Sequence, residues 1–249
     1  MSKEGFDNET IIMNELEGSK FKELNENLQD FLQFMFNNTL ENNDVIHCSK
    51  KAGQNKSDIK ITSNEKSHTV SIKSGTGNSV HQEPVEGFIE FLKGNYNISD
   101  EFANDLRKFI WGDETLDGTG QVDNRLSASK FKKKYPEVVE RIKDFFYSHK
   151  DDLIRRFVIE GPKSTSTPEF IYYGDIDNGC WEKSENVLNW LANDDNESNG
   201  AIPVGRLTFQ AWNRNINGGN KSEHKRGVIQ LKWGSIGEDL ELIMRDKDE

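Results

Sequence analysis

The chain has only two cysteines and five prolines among its 249 residues, and it has no long apolar run. Cys48 and Cys180 are far apart and neither has a second cysteine nearby, so we predict two reduced thiols and no zinc motif. No segment approaches the roughly 20 apolar residues of a membrane helix. The N-terminus also lacks the basic-then-apolar pattern of a secretion signal. We therefore expect a cytoplasmic protein with no membrane partner.

Basic residues are fewer than acidic ones, because the chain has 32 Lys and Arg residues and 43 Asp and Glu residues, for a net charge of −11. Nucleic-acid-binding domains are usually basic. The basic excess, however, falls in three segments, 50–73, 125–156 and 206–232. Charges are screened over about 8 Å at physiological salt, so local patches matter more than the total. Composition therefore does not exclude DNA, and the lack of a P-loop argues against a nucleotide cofactor.

Two short segments, 58–62 and 69–73, alternate polar with apolar residues and are joined by a polar, turn-prone stretch. This pattern predicts a β-hairpin. Side chains alternate between the two faces of a strand. If the apolar residues of both strands are buried, then Asp58, Ser71 and Lys73 share the polar face.

The residues that follow the hairpin suggest a place for a phosphate and further acids. Segment 74–79 is a loop of small residues, whose glycines let a phosphate approach the backbone. Pro84 then marks the first turn of a predicted helix, with Glu83 and Glu86 at or just inside its N-terminus. Phosphodiester hydrolysis needs a divalent ion with oxygen ligands and a group that positions the attacking water. Asp58, a second carboxylate and Lys73 have the right chemistry.

These residues resemble the PD-(D/E)xK nuclease superfamily, which includes most type II restriction endonucleases. In that family one acid lies on the first strand of a hairpin and (D/E)-x-Lys lies on the second. Here the matching residues are Ser57-Asp58 and Ser71-Ile72-Lys73, so Ser71 replaces the second acid. In a similar branch of restriction endonucleases, the acid lies on the next helix, twelve or thirteen residues beyond the lysine. Twelve residues separate Lys73 from Glu86.

The resemblance implies a magnesium-dependent site in which Asp58 and Glu86 hold Mg²⁺ and Lys73 positions the water. The full implied catalytic set is Asp58, Ser71, Lys73, Glu83 and Glu86. It also implies that an acid of the first predicted helix, over residues 20–36, can join the metal site. Glu23 and Glu26 are the acids available there.

The implied fold is α/β, a restriction-endonuclease-like central mixed sheet flanked by helices, with a helical insertion and a C-terminal β-hairpin. We expect residues 1–19 to be a mobile lead-in and residues 20–249 to form the nuclease domain. Within it we predict a core over 20–96 and 155–175, an insertion over 97–154 and the hairpin region over 200–236. A short helix is predicted over 181–191, and the tail from Glu238 is predicted to fray.

The predicted C-terminal hairpin carries a loop rich in Arg and Asn, which are side chains that read base edges. The predicted DNA contacts are Lys56, Ser74, Asn78, Gln82, Arg214, Lys221 and Arg226. The predicted activity is magnesium-dependent cleavage of double-stranded DNA by a type II restriction endonuclease acting as a homodimer. Two alternatives remain open: a repair or phage-defence nuclease without a fixed recognition sequence, and an inactive DNA- or protein-binding module of the same fold.

Overall fold

The structure is a computed structural model that describes residues 3–50, 55–75, 79–163 and 165–245. The strands are β1 (His47–Lys50), β2 (Ile59–Ser63), β3 (Lys66–Lys73), β4 (Ser79–Pro84), β5 (Phe170–Gly174), β6 (Gly179–Lys183), β7 (Pro203–Val204), β8 (Leu207–Ala211) and β9 (Val228–Lys232). The α-helices are α1 (Lys3–Leu16), α2 (Glu26–Met35), α3 (Val85–Tyr96), α4 (Asp100–Trp111), α5 (Ala128–Lys134), α6 (Pro136–Ser148), α7 (Lys150–Arg155), α8 (Ser184–Ala192) and α9 (Ile236–Arg245). The chain divides into two units, the first made of residues 1–78, 158–190 and 234–249, the second of 79–157 and 191–233.

The first unit contains a five-stranded mixed sheet in the order β1-β2-β3-β5-β6. Strands β3 and β5 are parallel, with Val70 opposite Phe170, and the other neighbours are antiparallel. A parallel pair needs a long crossover connection. Most of the second unit is inserted in that connection, between β3 and β5.

The N-terminal segment is helical, which corrects the prediction that residues 1–19 are a mobile lead-in. Residues 3–16 form helix α1, which packs on β1, and Ile12 and Leu16 are buried in the core of the first unit. Their spacing of four residues places both side chains on one face of the helix. The predicted helix over 20–36 is shorter than expected, because Asn25 caps the first turn of α2 by accepting a hydrogen bond from the Leu28 amide.

The second unit contains a four-stranded sheet in the order β4-β9-β8-β7. The predicted C-terminal hairpin is confirmed as β8 and β9, with Ala211 opposite Ile229. Strand β4 was missed, because the small-residue loop was predicted to lead directly into helix α3. A cluster of aromatic rings packs between the sheet and the helices, and its members are Phe88, Phe109, Phe146 and Phe209. The predicted insertion and hairpin therefore share one unit with its own core.

Two further corrections concern the end of the first unit. The segment predicted as one helix over 181–191 is strand β6 followed by α8, because Trp181 stacks on Tyr172 of β5 with ring centroids 6.0 Å apart. Of the tail predicted to fray, residues 238–245 belong to helix α9, which buries Leu240 and Ile243, and residues 246–249 lie outside the described part of the chain. No helix of the described residues is long and apolar enough to cross a membrane.

Candidate active site

The β2–β3 hairpin is confirmed and carries the predicted polar face. Its register pairs Ile59 with Val70, and Asp58, directly before β2, donates its backbone N–H to the Val70 carbonyl at 2.8 Å. Ile59, Ile61, Val70 and Ile72 all lie in the buried core of the first unit. Because side chains alternate along each strand, the opposite face carries Asp58, Ser71 and Lys73.

Asp58 is the centre of a hydrogen-bonded cluster. Its Oδ2 accepts from the Ile72 backbone N–H at 2.7 Å, from the Ser71 hydroxyl at 3.2 Å and from Lys73 Nζ at 3.2 Å. All three donors come from β3, so the hairpin pairing itself fixes the carboxylate. The other oxygen, Oδ1, accepts none of these three bonds.

Lys73 is held as firmly as the aspartate. Its ammonium donates to the Ser71 hydroxyl at 2.6 Å and to the Ile72 carbonyl at 3.1 Å, in addition to Asp58. The side chain of Asp58 is 10% exposed and that of Lys73 is 29% exposed. Ser71 is buried and links the two, because it accepts from the lysine and donates to the aspartate. The cluster therefore presents a fixed ammonium and a carboxylate to solvent at one point.

A second carboxylate near Asp58 comes from helix α1, where Glu9 is buried. Burial raises the pKa of Glu9, and the negative charge of Asp58 raises it further. The charges of Lys50 and Lys73 act in the opposite direction. Glu9 therefore shares one electrostatic environment with Asp58 and Lys73. Lys50, at the end of β1, places its Nζ 3.4 Å from Glu9 Oε2.

The donor set suits a magnesium ion. Mg²⁺ is usually held by one or two carboxylates, and waters and substrate phosphates complete its shell. Within the described part of the chain, no group of three or more His, Cys, Asp or Glu side chains could hold a metal ion. Asp58 and Glu9 would offer such an ion two carboxylates. Burial first, and the charge of Asp58 second, raise the pKa of Glu9, and a cation beside the two carboxylates would offset both effects. The Lys50 ammonium is a cation already lying against Glu9.

Glu83 and Glu86, the acids expected from the sequence, belong to the second unit and are each bound by an arginine there. Arg107 donates to both oxygens of Glu86, at 2.8 and 2.6 Å, and this hydrogen bonding lowers the pKa of Glu86. Glu83 is buried and accepts from Arg156 at 2.9 Å. Its other oxygen is 2.8 Å from His81 Nε2. The metal-binding role of these two acids stays a prediction.

The two further acids proposed for the first helix are both exposed. Glu23 accepts a hydrogen bond from the backbone N–H of Lys20 at 3.2 Å, within a short 3₁₀ turn that precedes α2. Glu26 lies in the first turn of α2, where a negative charge is favourable near the helix N-terminus. Local helix-end interactions therefore account for an acidic side chain at both positions.

The predicted DNA contacts are spread over both units, and their role stays a prediction. In the first unit, Lys56 lies against Gly161 and Ser74 follows Lys73 at the end of β3. In the second, Gln82 donates to Ser79 at 2.8 Å and Lys221 is exposed. Asn78 lies outside the described residues, as does part of the small-residue loop.

Arg226, another predicted DNA contact, is buried and bonded within the protein. Its guanidinium donates to Asp113 Oδ2 at 2.6 Å, to the Gly118 carbonyl at 3.0 Å and to Glu223 at 3.2 Å. It also lies over the ring of Trp111, 5.3 Å from the centroid. These contacts brace the 213–226 loop against the loop that follows α4.

Arg214 is likewise buried, at the C-terminal end of α4. It donates to the carbonyl of Phe109 and lies over that ring, 4.8 Å from the centroid. Burial lowers the pKa of Arg214 to about 10. A cation near a helix C-terminus is favoured by the helix dipole. Gly112 makes the approach possible, because a Cβ there would lie 2.6 Å from the arginine Nε.

Glu9 is the candidate site residue that sequence reasoning missed. The sequence feature that could have identified Glu9 is its spacing from apolar residues. Glu9, Ile12 and Leu16 are three and four residues apart and therefore form one stripe of α1. Glu9 therefore lies on the stripe that carries the buried Ile12 and Leu16. A carboxylate at a core position is costly unless it is paired, which marks it as a functional candidate.

The first unit's mixed sheet, the β2–β3 hairpin and the packed helices define a restriction-endonuclease-like fold. The chain is similar to the crystal structure of the restriction endonuclease MspI in complex with its cognate DNA. The TM-score is 0.57 and the sequences are 16% identical, over 92% of this chain and 88% of that one. No protein-family model and no curated protein matches the sequence.

Proposed function

We propose that the protein is a metal-dependent endonuclease that hydrolyses phosphodiester bonds of double-stranded DNA, and that it acts as a type II restriction endonuclease. The observation that carries the proposal is the cluster of Asp58, Ser71 and Lys73 on the polar face of the β2–β3 hairpin. The charge of Asp58 also raises the pKa of the buried Glu9 carboxyl. The fold in which the cluster lies is that of a restriction endonuclease. The similar protein MspI was solved with its cognate DNA.

In this proposal Asp58 and Glu9 would hold Mg²⁺, which would supply Lewis-acid chemistry at the scissile phosphate. Lys73 orients the attacking water and stabilises the negative charge that grows on the phosphate. Ser71 positions Lys73, because its hydroxyl accepts from the ammonium while donating to Asp58. The relocated acid Glu86 is the competing candidate for the second metal ligand.

Two copies of the chain, acting as a homodimer, would cut both strands of a symmetric site. The basic residues exposed on α5, which include Lys130, Lys132 and Lys133, and the exposed Lys221 are the proposed phosphate contacts. These contacts supply affinity without sequence specificity. Base reading is assigned to the exposed polar residues of the 213–226 loop.

The proposal is tested by incubating the purified protein with long unmethylated DNA, with and without Mg²⁺. Discrete fragments that require Mg²⁺ are expected. A smear or nicked circles would instead indicate a nuclease without a fixed recognition sequence. Intact DNA under all conditions, together with no magnesium binding by calorimetry, would identify an inactive module and refute the proposal.

Matched variants identify the second metal ligand. Asp58→Asn should abolish both cleavage and Mg²⁺ binding. Glu9→Gln should weaken Mg²⁺ binding at least tenfold, whereas Glu86→Gln, an equal change of charge, should leave it within twofold of the parent. The reverse ranking of Glu9→Gln and Glu86→Gln would assign the ligand to Glu86.

A further inference from the structure

Tyr173 of β5 lies beside the lysine of the candidate site. Strands β3 and β5 are parallel, and their register pairs Lys73 with Tyr173. Ile72 and Tyr172, the residues before them, lie in the core of the first unit, so the alternation along each strand places Lys73 and Tyr173 together on the opposite face. Asp58 directly precedes β2, and β2 and β5 lie on opposite sides of β3. Tyr173 therefore flanks Lys73 on the side away from Asp58.

The Tyr173 hydroxyl reaches the chain just beyond Lys73. It donates a hydrogen bond to the Gly75 carbonyl at 3.2 Å. Gly75 has a φ of +72°, a left-handed conformation that favours glycine, so the chain turns sharply directly after Ser74. The turn that follows Lys73 is thus tied to β5 by Tyr173.

A glycine of helix α9 makes room for the Tyr173 ring. Gly237 lies near the start of α9, and a Cβ at that position would be 2.7 Å from Cε1 and 3.5 Å from Cζ of the tyrosine. Glycine inside a helix is less favourable than alanine. The close approach of the ring accounts for a glycine here. Contact with α9 therefore restricts the ring, and with it the direction of the hydroxyl.

The position of the Lys73 ammonium does not depend on this bond. Lys73 donates to three groups of the β2–β3 hairpin region, and none of these bonds involves β5. The tyrosine hydroxyl instead fixes the two residues that follow the lysine. Ser74 is half-buried and Gly75 is exposed. Their small side chains would let a DNA phosphate approach the serine hydroxyl and the backbone.

We propose that Tyr173 is a positioning residue that holds Ser74 and Gly75 in place for contact with a phosphate of the DNA backbone. This inference rests on the proposed DNA-cleaving function. A segment that is ordered before binding does not lose conformational freedom when DNA binds, so it binds more tightly than a loose one. Tyr173 thus acts on DNA affinity, whereas Lys73 acts on the rate of cleavage.

The inference is tested with the full chain and a fluorescently labelled fragment of unmethylated double-stranded DNA. Affinity is measured by anisotropy in Ca²⁺, and the cleavage rate is measured in Mg²⁺ with the protein in saturating excess. Tyr173→Phe removes one hydroxyl and keeps the ring against Gly237. It should weaken DNA binding about three- to tenfold, because a short segment must then be ordered on binding, and leave the saturated cleavage rate within about twofold of the parent. Tyr147→Phe is the matched control in the second unit, where it removes a hydroxyl bonded to Asp194 at 3.3 Å, and it should leave both values unchanged.

Gly75→Ala tests the same segment by a second route. Alanine is strained at positive φ, so this variant should also weaken DNA binding. The double variant with Tyr173→Phe should bind no more than about twofold worse than Gly75→Ala alone, because both changes loosen one segment. Losses that multiply would show that the two residues act independently and would overturn the inference.

A Tyr173→Phe variant that binds DNA as the parent does would overturn the inference, as would one whose saturated cleavage rate falls while its affinity is unchanged. A melting temperature more than about 5 °C below that of the parent would show a general structural role and would also overturn it. A parent that neither binds nor cleaves DNA would refute the proposed function as well. A parent that does both, with an unaffected Tyr173→Phe variant, would refute the role of Tyr173 alone.

Discussion

Replacing Arg226 by methionine separates two roles that this residue could have. The sequence predicts a DNA contact, whereas the structure shows the guanidinium bonded to Asp113, Gly118 and Glu223. The side chains of Arg226 and Asp113 are 4% and 0% exposed. Methionine retains much of the apolar volume of arginine but supplies no charge or donor. It therefore leaves the Asp113 carboxylate buried without its cation.

The expected loss of stability depends on the hydrogen bonds that Asp113 retains in the variant. Breaking a buried ion pair by removing one partner costs about 3–5 kcal/mol. Asp113 still accepts hydrogen bonds from Thr115 and from the Gly120 backbone. We therefore expect the lower end, about 3 kcal/mol of unfolding free energy. For a chain of this size, each kcal/mol shifts the melting temperature by about 2–4 °C, so the expected drop is about 6–12 °C.

The assay pairs thermal unfolding, followed by circular dichroism, with DNA binding, followed by fluorescence anisotropy. Adding Asp113→Asn to Arg226→Met should restore part of the lost stability, because the remaining buried group is no longer charged. Lys221→Met, on the exposed part of the same loop, should leave the melting temperature unchanged and weaken DNA binding. The structural role would be refuted if Arg226→Met melted within 2 °C of the parent and lost DNA affinity tenfold.

Three further predictions concern the two units separately. Lys73→Ala should lower the cleavage rate about 10²–10³-fold or more while DNA binding in Ca²⁺ is retained; unchanged cleavage would remove Lys73 from the mechanism. Because burial and the charge of Asp58 raise the pKa of Glu9 above its ordinary value of 4.5, the metal-free folded state keeps this proton to higher pH than the unfolded chain does. The melting temperature of the parent in EDTA, relative to that of Glu9→Gln, should therefore fall as the pH rises from about 4.5 through the folded-state pKa; an identical pH profile of the two proteins would contradict the shift. Glu83→Gln leaves Arg156 buried opposite a neutral amide and should destabilise the protein by about 3 kcal/mol in denaturant titrations, the lower end of the range for a broken buried pair, because the amide oxygen can still accept a hydrogen bond. A variant of parental stability would show that this ion pair contributes little.

Local patterning was enough to predict the hairpin and its polar face. The alternation in 58–62 and 69–73 fixes which side chains share a face, because the period of a strand is two. Asp58, Ser71 and Lys73 therefore come together through pairing between strands that are close in sequence. The β8–β9 hairpin was predictable for the same reason, since both of its strands alternate. By contrast, strand β4 was missed because its residues, SVHQEP, show no clear alternation of apolar side chains.

The second carboxylate could not be assigned in this way. The offset of twelve residues from Lys73 pointed to Glu86, but in the structure that side chain is bound by Arg107. Glu9 precedes Asp58 by almost fifty residues, and it reaches the charge of Asp58 only because α1 packs on β1. A spacing rule cannot find such a pair, because the contact depends on how a helix docks on a sheet.

Local periodicity is sufficient to predict the hairpin, the face that carries Asp58 and Lys73, and the chemistry that those side chains make possible. Which acid shares the electrostatic environment of Asp58, and which arginines are buried, depends on packing between distant parts of the chain. Arg214 and Arg226 belong to a loop whose composition is typical of DNA reading, yet both donate hydrogen bonds to partners about a hundred residues away in the chain. Long-range packing selects among equivalent side chains, because burial and charge pairing act on whatever the folded chain brings together.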